Sequence, residues 1–252
     1  MNAKSVQCAV VRLVLASASP ARFAVLRAAG VEPVVRVSGV DEDALAAALG
    51  EVSPEELVIA LARAKAEVVA ADVAAEYPDA VVVGCDSMLH IGGELVGKPG
   101  DAGVALRRWQ AMAGRTGELL TGHAVVRLEA GSPSATASGA QRTVIRFGAL
   151  SVAEIEAYVG TGEPLDVAGG FTLDGLGGWF VDGVDGDPSS VIGISLPLTR
   201  RLLAEVGVPV VALWQINDLG QINDLGRTND AGRGAASVQL GEGASQQCTG
   251  NA

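Results

Sequence analysis

Cysteine, aromatic residues and positive charge are all scarce in this chain of 252 residues. Its three cysteines, Cys8, Cys85 and Cys248, are far apart and do not fit a disulfide framework or a paired-cysteine metal site, so we expect a reducing, cytoplasmic location. The 18 Lys and Arg against 29 Asp and Glu give a net charge of −11, which argues against a nucleic-acid polymer or an anionic membrane as partner. An anionic substrate would therefore need a few local cations or a metal.

Long apolar runs are also missing. No stretch approaches the ~18 apolar residues that a membrane span requires. Residues 1–20 imitate a signal peptide, with Lys4, an apolar middle and a cleavage-like Ala16-Ser17-Ala18, but Arg12 interrupts the apolar part. A strand followed by a capped helix explains the same residues, and we favour that interpretation.

What is present is a composition of 49% hydrophobic and 19% charged residues, typical of a compact protein, with alternating strand and helix signals. Strands are predicted at 10–16, 33–37, 80–85, 121–129 and 141–147, with a hairpin at 88–96 and a Gly/Ser/Ala loop at 131–140. Helices are predicted directly after the cap residues Ser19, Ser53, Asp101 and Ser151, two of which are followed by a first-turn proline. A last helix is predicted over 197–206, ending at Gly207. The alternation is typical of the α/β class, with a glycine-rich, turn-dense region at 160–195.

The composition changes after Trp214. Gln-Ile-Asn-Asp-Leu-Gly occurs at 215–220 and again at 221–226, and the remainder is rich in Gly, Ala, Ser, Gln and Asn. Two short copies do not make a stacked repeat fold, which needs at least about three units. We therefore predict one domain over 1–214 and a low-complexity, disordered extension over 215–252.

The strongest chemical signal is the apolar run 81–83 that leads into Gly84-Cys85-Asp86-Ser87. Because an acid at the end of a buried strand is costly to desolvate, Asp86 calls for a partner, a metal or an exposed strand end. Proteins of the α/β class bind ligands at the carboxyl ends of their strands. We predict that Asp86 is functional and lies at the C-terminal edge of its strand.

Other polar groups have two interpretations each. Ser17, Ser19 and Arg22 surround a helix start, where unpaired N–H groups and a guanidinium can hold a phosphate, although Ser19 could be only an N-cap and Arg22 a solvated residue. The acidic triplet 41–43 is either a metal-binding cluster or an ordinary turn. Lys65 follows alanines that would let it reach a ligand, but a surface lysine shows the same pattern.

One motif is misleading. Gly92 and Gly97-Lys98 match the start of a phosphate-binding P-loop, but the next residue is Pro99. Proline has neither the hydroxyl that binds Mg²⁺ nor the N–H that the phosphate cradle needs. The glycines fit a hairpin better, so we reject the P-loop interpretation.

Together these motifs resemble the Maf family of nucleoside triphosphate pyrophosphatases, in the family's order across about residues 12–208. The segments that carry the resemblance include Leu15-Ala-Ser-Ala-Ser-Pro-Ala-Arg22, Val40-Asp-Glu42, Ala64-Lys65-Ala66, Gly84-Cys-Asp86-Ser, Gly97-Lys-Pro99, Ala168-Gly169-Gly and Val191-Ile-Gly-Ile-Ser-Leu-Pro197. The resemblance implies an α/β fold similar to the inosine triphosphatase group. Its elongated, curved mixed sheet is flanked by helices, and a nucleotide cleft separates two lobes.

The resemblance also implies a reaction, in which a nucleoside triphosphate and water give the monophosphate and pyrophosphate, in house-cleaning or division-linked roles. It implies a divalent cofactor, Mg²⁺ or Mn²⁺. Asp86 falls on the proton acceptor, and whether it takes the proton or holds the metal is open. The other implied roles are phosphate-binding cations at Arg22, Lys65 and Lys98, turn hydroxyls at Ser17 and Ser19, and metal ligands at Asp41 and Glu42 together with Asp86.

Substrate choice is open, because Ala21, Ser87 and Asp174 match neither the family branch specific for dTTP and UTP nor the branch that prefers 7-methyl-GTP. A nucleotide-sensing or division-regulating protein with little turnover is the alternative from another functional class. The expected partner is the nucleotide substrate, with neither a nucleic-acid polymer nor a membrane, and a homodimer is left open.

Overall fold

The computed structural model describes residues 11–214, which are built on one mixed sheet. Its strand order is β2-β1-β3-β5-β6-β7, with β4 also paired to β3. β1 runs parallel to β2 and β3, and the remaining pairs are antiparallel. The strands are β1 (Arg12–Leu15), β2 (Val34–Val35), β3 (Ala80–Ile91), β4 (Glu94–Val96), β5 (Thr116–Glu129), β6 (Ser132–Phe147) and β7 (Val181–Asp185).

Helices flank this sheet in the described part of the chain. They are α1 (Pro20–Ala28), α2 (Glu42–Leu49), α3 (Pro54–Val73), α4 (Ala102–Met112), α5 (Val152–Gly160), α6 (Pro188–Ile192) and α7 (Leu196–Glu205), with short 3-10 turns at Glu163–Asp166, Ala168–Gly170, Leu176–Phe180 and Val210–Leu213. The predicted caps are confirmed: Ser19 begins α1, Asp101 begins α4, and Ser53 and Ser151 form capping boxes. These starts are local, because each cap oxygen accepts a backbone N–H only a few residues away.

Two lobes share the three long strands β3, β5 and β6. At one end the sheet packs α1 and α7 on one face and α3 on the other, burying Val83 and Val125 on the first face and Val82 on the second. At the other end α4 and α5 enclose a third cluster around Trp109 and Phe147. The predicted mixed α/β architecture with two lobes is confirmed, and residue 86 lies between them on β3.

Three expectations about local structure are wrong. The strand predicted at 80–85 continues to Ile91, so Asp86 lies in the middle of β3 and not at its C-terminal edge. The loop predicted at 131–140 is part of strand β6. A tight turn at Ala130-Gly131 brings β6 back along β5, and the hydrogen bonds between the two strands come from the backbone, so they also form where the side chains are small. The acidic triplet 41–43 is not the ordinary turn of one interpretation, since Asp41 caps α2, a helix that the sequence analysis missed.

The ends of the chain lie outside the described residues. The predicted extension over 215–252 falls there, so the domain boundary after Trp214 stays a prediction. Residues 12–28 form the strand and capped helix that we favoured for the start of the chain. Among the described helices, none combines the length and apolar character needed to cross a membrane.

Candidate active site

A gap along one edge of β3 defines the site. β1 pairs with β3 as far as Leu15 and Val83, and β4 pairs with the same edge only from Leu89 onward. Among the described strands, none covers residues 84–88 on this side. Ala16 makes the last β1 contact by donating its N–H to Val83 O at 2.8 Å, and the chain then turns away into α1. Proteins of the α/β class bind ligands where neighbouring strands of the sheet separate, and the unpaired stretch of β3 is such a place.

Side chains along this stretch of β3 alternate between the two faces of the sheet. Gly84 and Asp86 face α3, since a Cβ at Gly84 would meet Ala62 and Asp86 contacts Lys65. Cys85 faces the opposite cluster, and burial raises the pKa of its thiol to about 11. A thiol that stays protonated and enclosed is not a nucleophile at neutral pH.

Asp86 and Lys65 form a buried ion pair. Lys65 Nζ lies 2.7 Å from Asp86 Oδ1 and 2.7 Å from Glu42 Oε1, so one ammonium bridges two carboxylates. Asp86 is only 5% exposed and Lys65 8%. Lys65 is therefore not the surface lysine that its pattern also allowed.

The second carboxylate oxygen of Asp86 is available. Oδ2 is buried and has no hydrogen-bond partner among the described residues. Burial raises the pKa of Asp86, while the positive charges of Lys65 and Arg22 act in the opposite direction. A carboxylate that is oriented through one oxygen and unpartnered at the other can accept a proton from water or bind a cation.

Two glycines allow α3 to approach the sheet closely enough for this pair. A Cβ at Gly84 would lie 2.3 Å from Ala62 O, and one at Gly122, the β5 residue opposite Asp86, would lie 2.1 Å from Val58 O. Any larger residue would push the helix away. The absence of two side chains thus brings Lys65 within reach of Asp86.

Arg22 lies on the open edge of β3 and is held by four hydrogen bonds. Nε donates to Gly193 O at 2.8 Å, Nη1 donates to Cys85 O at 2.9 Å and to Ser17 Oγ at 3.1 Å, and Nη2 donates to Ser87 Oγ at 3.3 Å. A guanidinium has five N–H donors, so one N–H and the positive charge are left for a ligand. Arg22 is therefore a fixed cation and not the solvated helix residue of the alternative interpretation.

The turn before α1 orders its hydroxyls around this cation. Ser17 Oγ accepts from Ser19 N at 3.2 Å as well as from Arg22, and Ser17 is 8% exposed. Ser19 Oγ accepts from the Arg22 backbone N–H at 3.4 Å, which makes Ser19 the N-cap of α1. Its role in binding phosphate stays a prediction.

The predicted metal ligands do not all lie together in the structure. Asp41 Oδ1 accepts from Ala44 N at 2.9 Å as the cap of α2, whereas Glu42 contacts Lys65 beside Asp86. Within residues 11–214 there is no group of three or more His, Cys, Asp or Glu side chains arranged to hold a metal. The oxygens that fit a divalent cation are the unpartnered Asp86 Oδ2 and the half-exposed Glu42 carboxylate, since Mg²⁺ and Mn²⁺ prefer such ligands.

Three predicted residues lie outside this contact network. Lys98 is exposed in the loop after β4, and the carbonyl of the preceding Gly97 accepts from Arg108 Nη1 at 2.8 Å, which ties the loop to α4. Asp174 is exposed, and Ala21 is half-buried in the first turn of α1. Their assignments to phosphate binding and to specificity stay predictions.

Sequence reasoning missed the residues that support Arg22 and Ser87 from behind. Thr121 and Ser190 connect to Ser87 by hydrogen bonds, and Gly193 contributes only a backbone carbonyl. The Gly193 carbonyl lies 171 positions from Arg22 along the chain, and no spacing of residue types indicates such a backbone acceptor. The sequence therefore contained no pattern from which this part of the site could be predicted.

Fold and site together define a mixed α/β protein that combines a buried acid with fixed cations at the open edge of β3, an arrangement suited to phosphate groups. The profile of the Maf-like protein family matches residues 12–206, and the chain belongs to this family. It is 66% identical over 204 residues to a protein of Saccharopolyspora erythraea, covering 81% of this chain and 97% of the relative. Relatives from Rhodococcus opacus and Nocardia farcinica are 62% and 61% identical, covering 82% and 81% of this chain and 98% and 96% of their own lengths. All three relatives are named nucleoside triphosphate pyrophosphatase.

Proposed function

We propose that this protein hydrolyses nucleoside triphosphates to the nucleoside monophosphate and pyrophosphate. The names of its relatives support the reaction class. The observation that carries the proposal is the buried Lys65–Asp86 pair, in which Asp86 Oδ2 has no partner in the described chain, at the open edge of β3 beside Arg22. A pocket for binding alone would not need an acid next to the groups that receive a polyphosphate.

The chemistry follows from charge. Water attacking the α-phosphorus approaches a chain of several negative charges, and repulsion within a poorly solvated site would dominate the barrier. Lys65 and Arg22 provide fixed positive charge in this region, and we assign Lys98 to the same task from its position in the family. Because they are held in place before substrate binds, little reorganisation is needed when charge builds up.

Asp86 is assigned the proton transfer. As the water oxygen bonds to the α-phosphorus, its proton moves to Asp86 Oδ2, and the bond from the α-phosphorus to the bridging oxygen breaks with its electron pair leaving on pyrophosphate. Lys65, on Oδ1, orients the carboxylate and favours its charged form. Burial works the other way and raises the pKa of Asp86, which makes it a better base than an exposed aspartate.

A divalent cation is proposed as cofactor. Glu42 would hold it, with Asp41 as a further ligand in the family-based assignment, and Asp86 Oδ2 would be a ligand in the alternative in which it does not take the proton. When bound, the cation would neutralise charge on the phosphates. Ser17 and Ser19 are proposed to contact phosphate oxygens through the turn before α1. Ala21, Ser87 and Asp174 are proposed to contact the base or sugar.

The bond that breaks is tested by running the reaction in ¹⁸O-labelled water. Label in the nucleoside monophosphate is expected, because the proposal has water attacking the α-phosphorus. Label in pyrophosphate would keep the enzyme class but move the attack to the β-phosphorus. Orthophosphate and a nucleoside diphosphate as first products would refute the proposal.

Substrate choice is tested with a panel of ordinary and modified triphosphates in the presence of Mg²⁺ or Mn²⁺. Turnover of at least one is expected, with pyrophosphate as product. No turnover on any of them, combined with measurable nucleotide binding, would favour a nucleotide-sensing protein. The proposed setting is house-cleaning of nucleotides in the cytoplasm, with a link to cell division and a homodimeric state as separate proposals.

A further inference from the structure

His123, in β5, makes two hydrogen bonds that the site described above does not use. The side chain is 0% exposed, and both of its ring nitrogens have hydrogen-bond partners within the protein. Nδ1 lies 3.0 Å from the backbone oxygen of Thr121, and Nε2 lies 2.8 Å from the backbone nitrogen of Ser195 at the start of α7. Any buried imidazole needs partners for its nitrogens, so the two contacts alone do not assign a role among the neighbouring Cys85 and Val125. What distinguishes His123 is where the second contact leads.

The two partners determine the protonation state of the ring. A carbonyl oxygen only accepts, so Nδ1 must carry the hydrogen, and a backbone N–H only donates, so Nε2 must be bare. His123 is therefore neutral, as the Nδ1–H tautomer. Burial lowers the pKa of His123 to about 4, assisted by the charge of Arg22 and opposed by the Thr121 carbonyl and Asp187, so the neutral ring is maintained at neutral pH.

The Ser195 contact leads back to the site. Two residues before Ser195, the Gly193 carbonyl accepts the Nε hydrogen of Arg22 at 2.8 Å. Gly193 has a φ of 133°, and a Cβ there would lie 3.2 Å from Arg22 Cγ and Nε, so the backbone is packed directly against the guanidinium stem. A contact that holds the segment 193–195 in place therefore also holds the Nε side of the Arg22 guanidinium.

A second route reaches Arg22 from the same part of β5. Arg22 Nη2 donates to Ser87 Oγ at 3.3 Å, which pairs with Thr121 Oγ1 at 3.1 Å, and Thr121 Oγ1 donates to Ser190 O at 3.1 Å. Because Thr121 uses its only hydrogen on Ser190, it accepts from Ser87, and Ser87 in turn accepts from Arg22. The hydrogen bonds run in one direction, from the cation into the core.

We infer that His123 is a positioning residue for phosphate binding, whose bare Nε2 holds the Ser195 N–H and thereby orients the Gly193 carbonyl and Arg22. This inference rests on the proposed function where it treats Arg22 as the cation that grips phosphate. His123 touches neither substrate nor reacting atoms in this scheme. It acts through backbone, so its loss should weaken nucleotide binding more than turnover.

The tautomer gives a test that needs no activity and no substitution of His123. The sequence contains two histidines, so a ¹H–¹⁵N spectrum correlating ring nitrogens with carbon-bound protons can be assigned with a single His90→Gln variant. The expected spectrum of His123 shows a protonated Nδ1 and a bare Nε2 at neutral pH. A protonated Nε2 would exclude the Ser195 contact and overturn the inference, whatever the enzyme hydrolyses.

Substitutions then test the consequence for the site. His123→Leu removes the acceptor and leaves a buried N–H unpaired, so KM should rise about tenfold with kcat within about twofold of the wild type. His123→Gln offers an amide oxygen to Ser195 and should recover most of the binding. The Arg22 Nε hydrogen should exchange with solvent faster in His123→Leu than in the wild type or His123→Gln.

Val125→Ala is the matched control. Val125 lies two residues along β5, fully buried in the same cluster, and is not part of the hydrogen-bond route described above. It should lower the melting temperature and leave KM and the Arg22 Nε exchange unchanged. Equal changes in KM for Val125→Ala and His123→Leu would show that His123 has only a structural role. An unaltered KM and an unaltered Arg22 Nε exchange rate in a folded His123→Leu protein would also refute the inference. An inactive wild type would refute the proposed function instead, and the exchange rates and tautomer would still decide the role of His123.

Discussion

Gly84→Ala tests whether the closeness of α3 to β3 creates the catalytic pair. The added Cβ would lie 2.3 Å from Ala62 O and 2.9 Å from Ala66 N, whereas ordinary contact begins at 3.4 Å. Both atoms belong to the backbone, so no flexible side chain can move aside. We expect α3 to retreat from the sheet by about 1 Å, at a cost of about 1–3 kcal/mol in the free energy of unfolding.

The displaced helix carries Lys65, which lies between the two contacted residues. Its Nζ contact with Asp86 Oδ1, now 2.7 Å, would lengthen beyond the range of a charge-assisted hydrogen bond. Because a misplacement of about 1 Å can reduce the rate by about 10²-fold, we expect a loss of that order in kcat/KM. Steady-state kinetics and thermal unfolding would measure the two effects separately.

Gly160→Ala is the control for this substitution. Gly160 ends α5, is exposed, and a Cβ there would meet no atom of the described chain within 4 Å. Its activity and stability should stay close to those of the wild type. A folded Gly84→Ala protein with kcat/KM within about twofold of the wild type would show that the approach of α3 does not position Lys65, and the reasoning would fail.

The remaining predictions concern single groups. Asp86→Asn should reduce kcat by about 10²-fold or more with nucleotide still bound, whereas Arg22→Ala should act mainly on KM; wild-type activity in Asp86→Asn would contradict the assignment. Because the folded pKa of His123 is about 4 and the ordinary value 6.5, the unfolded chain binds this proton first as pH falls, so the contribution of His123 should lower the free energy of unfolding by about 3 kcal/mol between pH 7 and 4. Urea unfolding of the wild type and His123→Gln would show whether this slope belongs to His123. A chain ending at Trp214 should keep its activity and melting temperature, because residues 215–252 are poor in apolar side chains. A loss of more than about 1 kcal/mol in the free energy of unfolding would show that the predicted domain boundary after Trp214 is wrong.

The sequence alone determined the features that depend on neighbours within a few residues. Ser53, Asp101 and Ser151 each predicted a helix start, because a cap oxygen needs only the N–H two or three positions later. Asp86 was identified as a functional candidate for a similar reason, since an acid after an apolar run needs an explanation wherever the strand lies.

The tertiary structure decided what those residues meet. Lys65 could have been a surface lysine until the packing of α3 on Gly84 and Gly122 placed it beside Asp86. The open edge of β3 depends on where β1 ends and β4 begins, and the Gly193 carbonyl that holds Arg22 belongs to a segment far along the chain. Strand register, helix approach and backbone acceptors are set by contacts between distant residues, and such contacts leave no periodicity or spacing in the sequence.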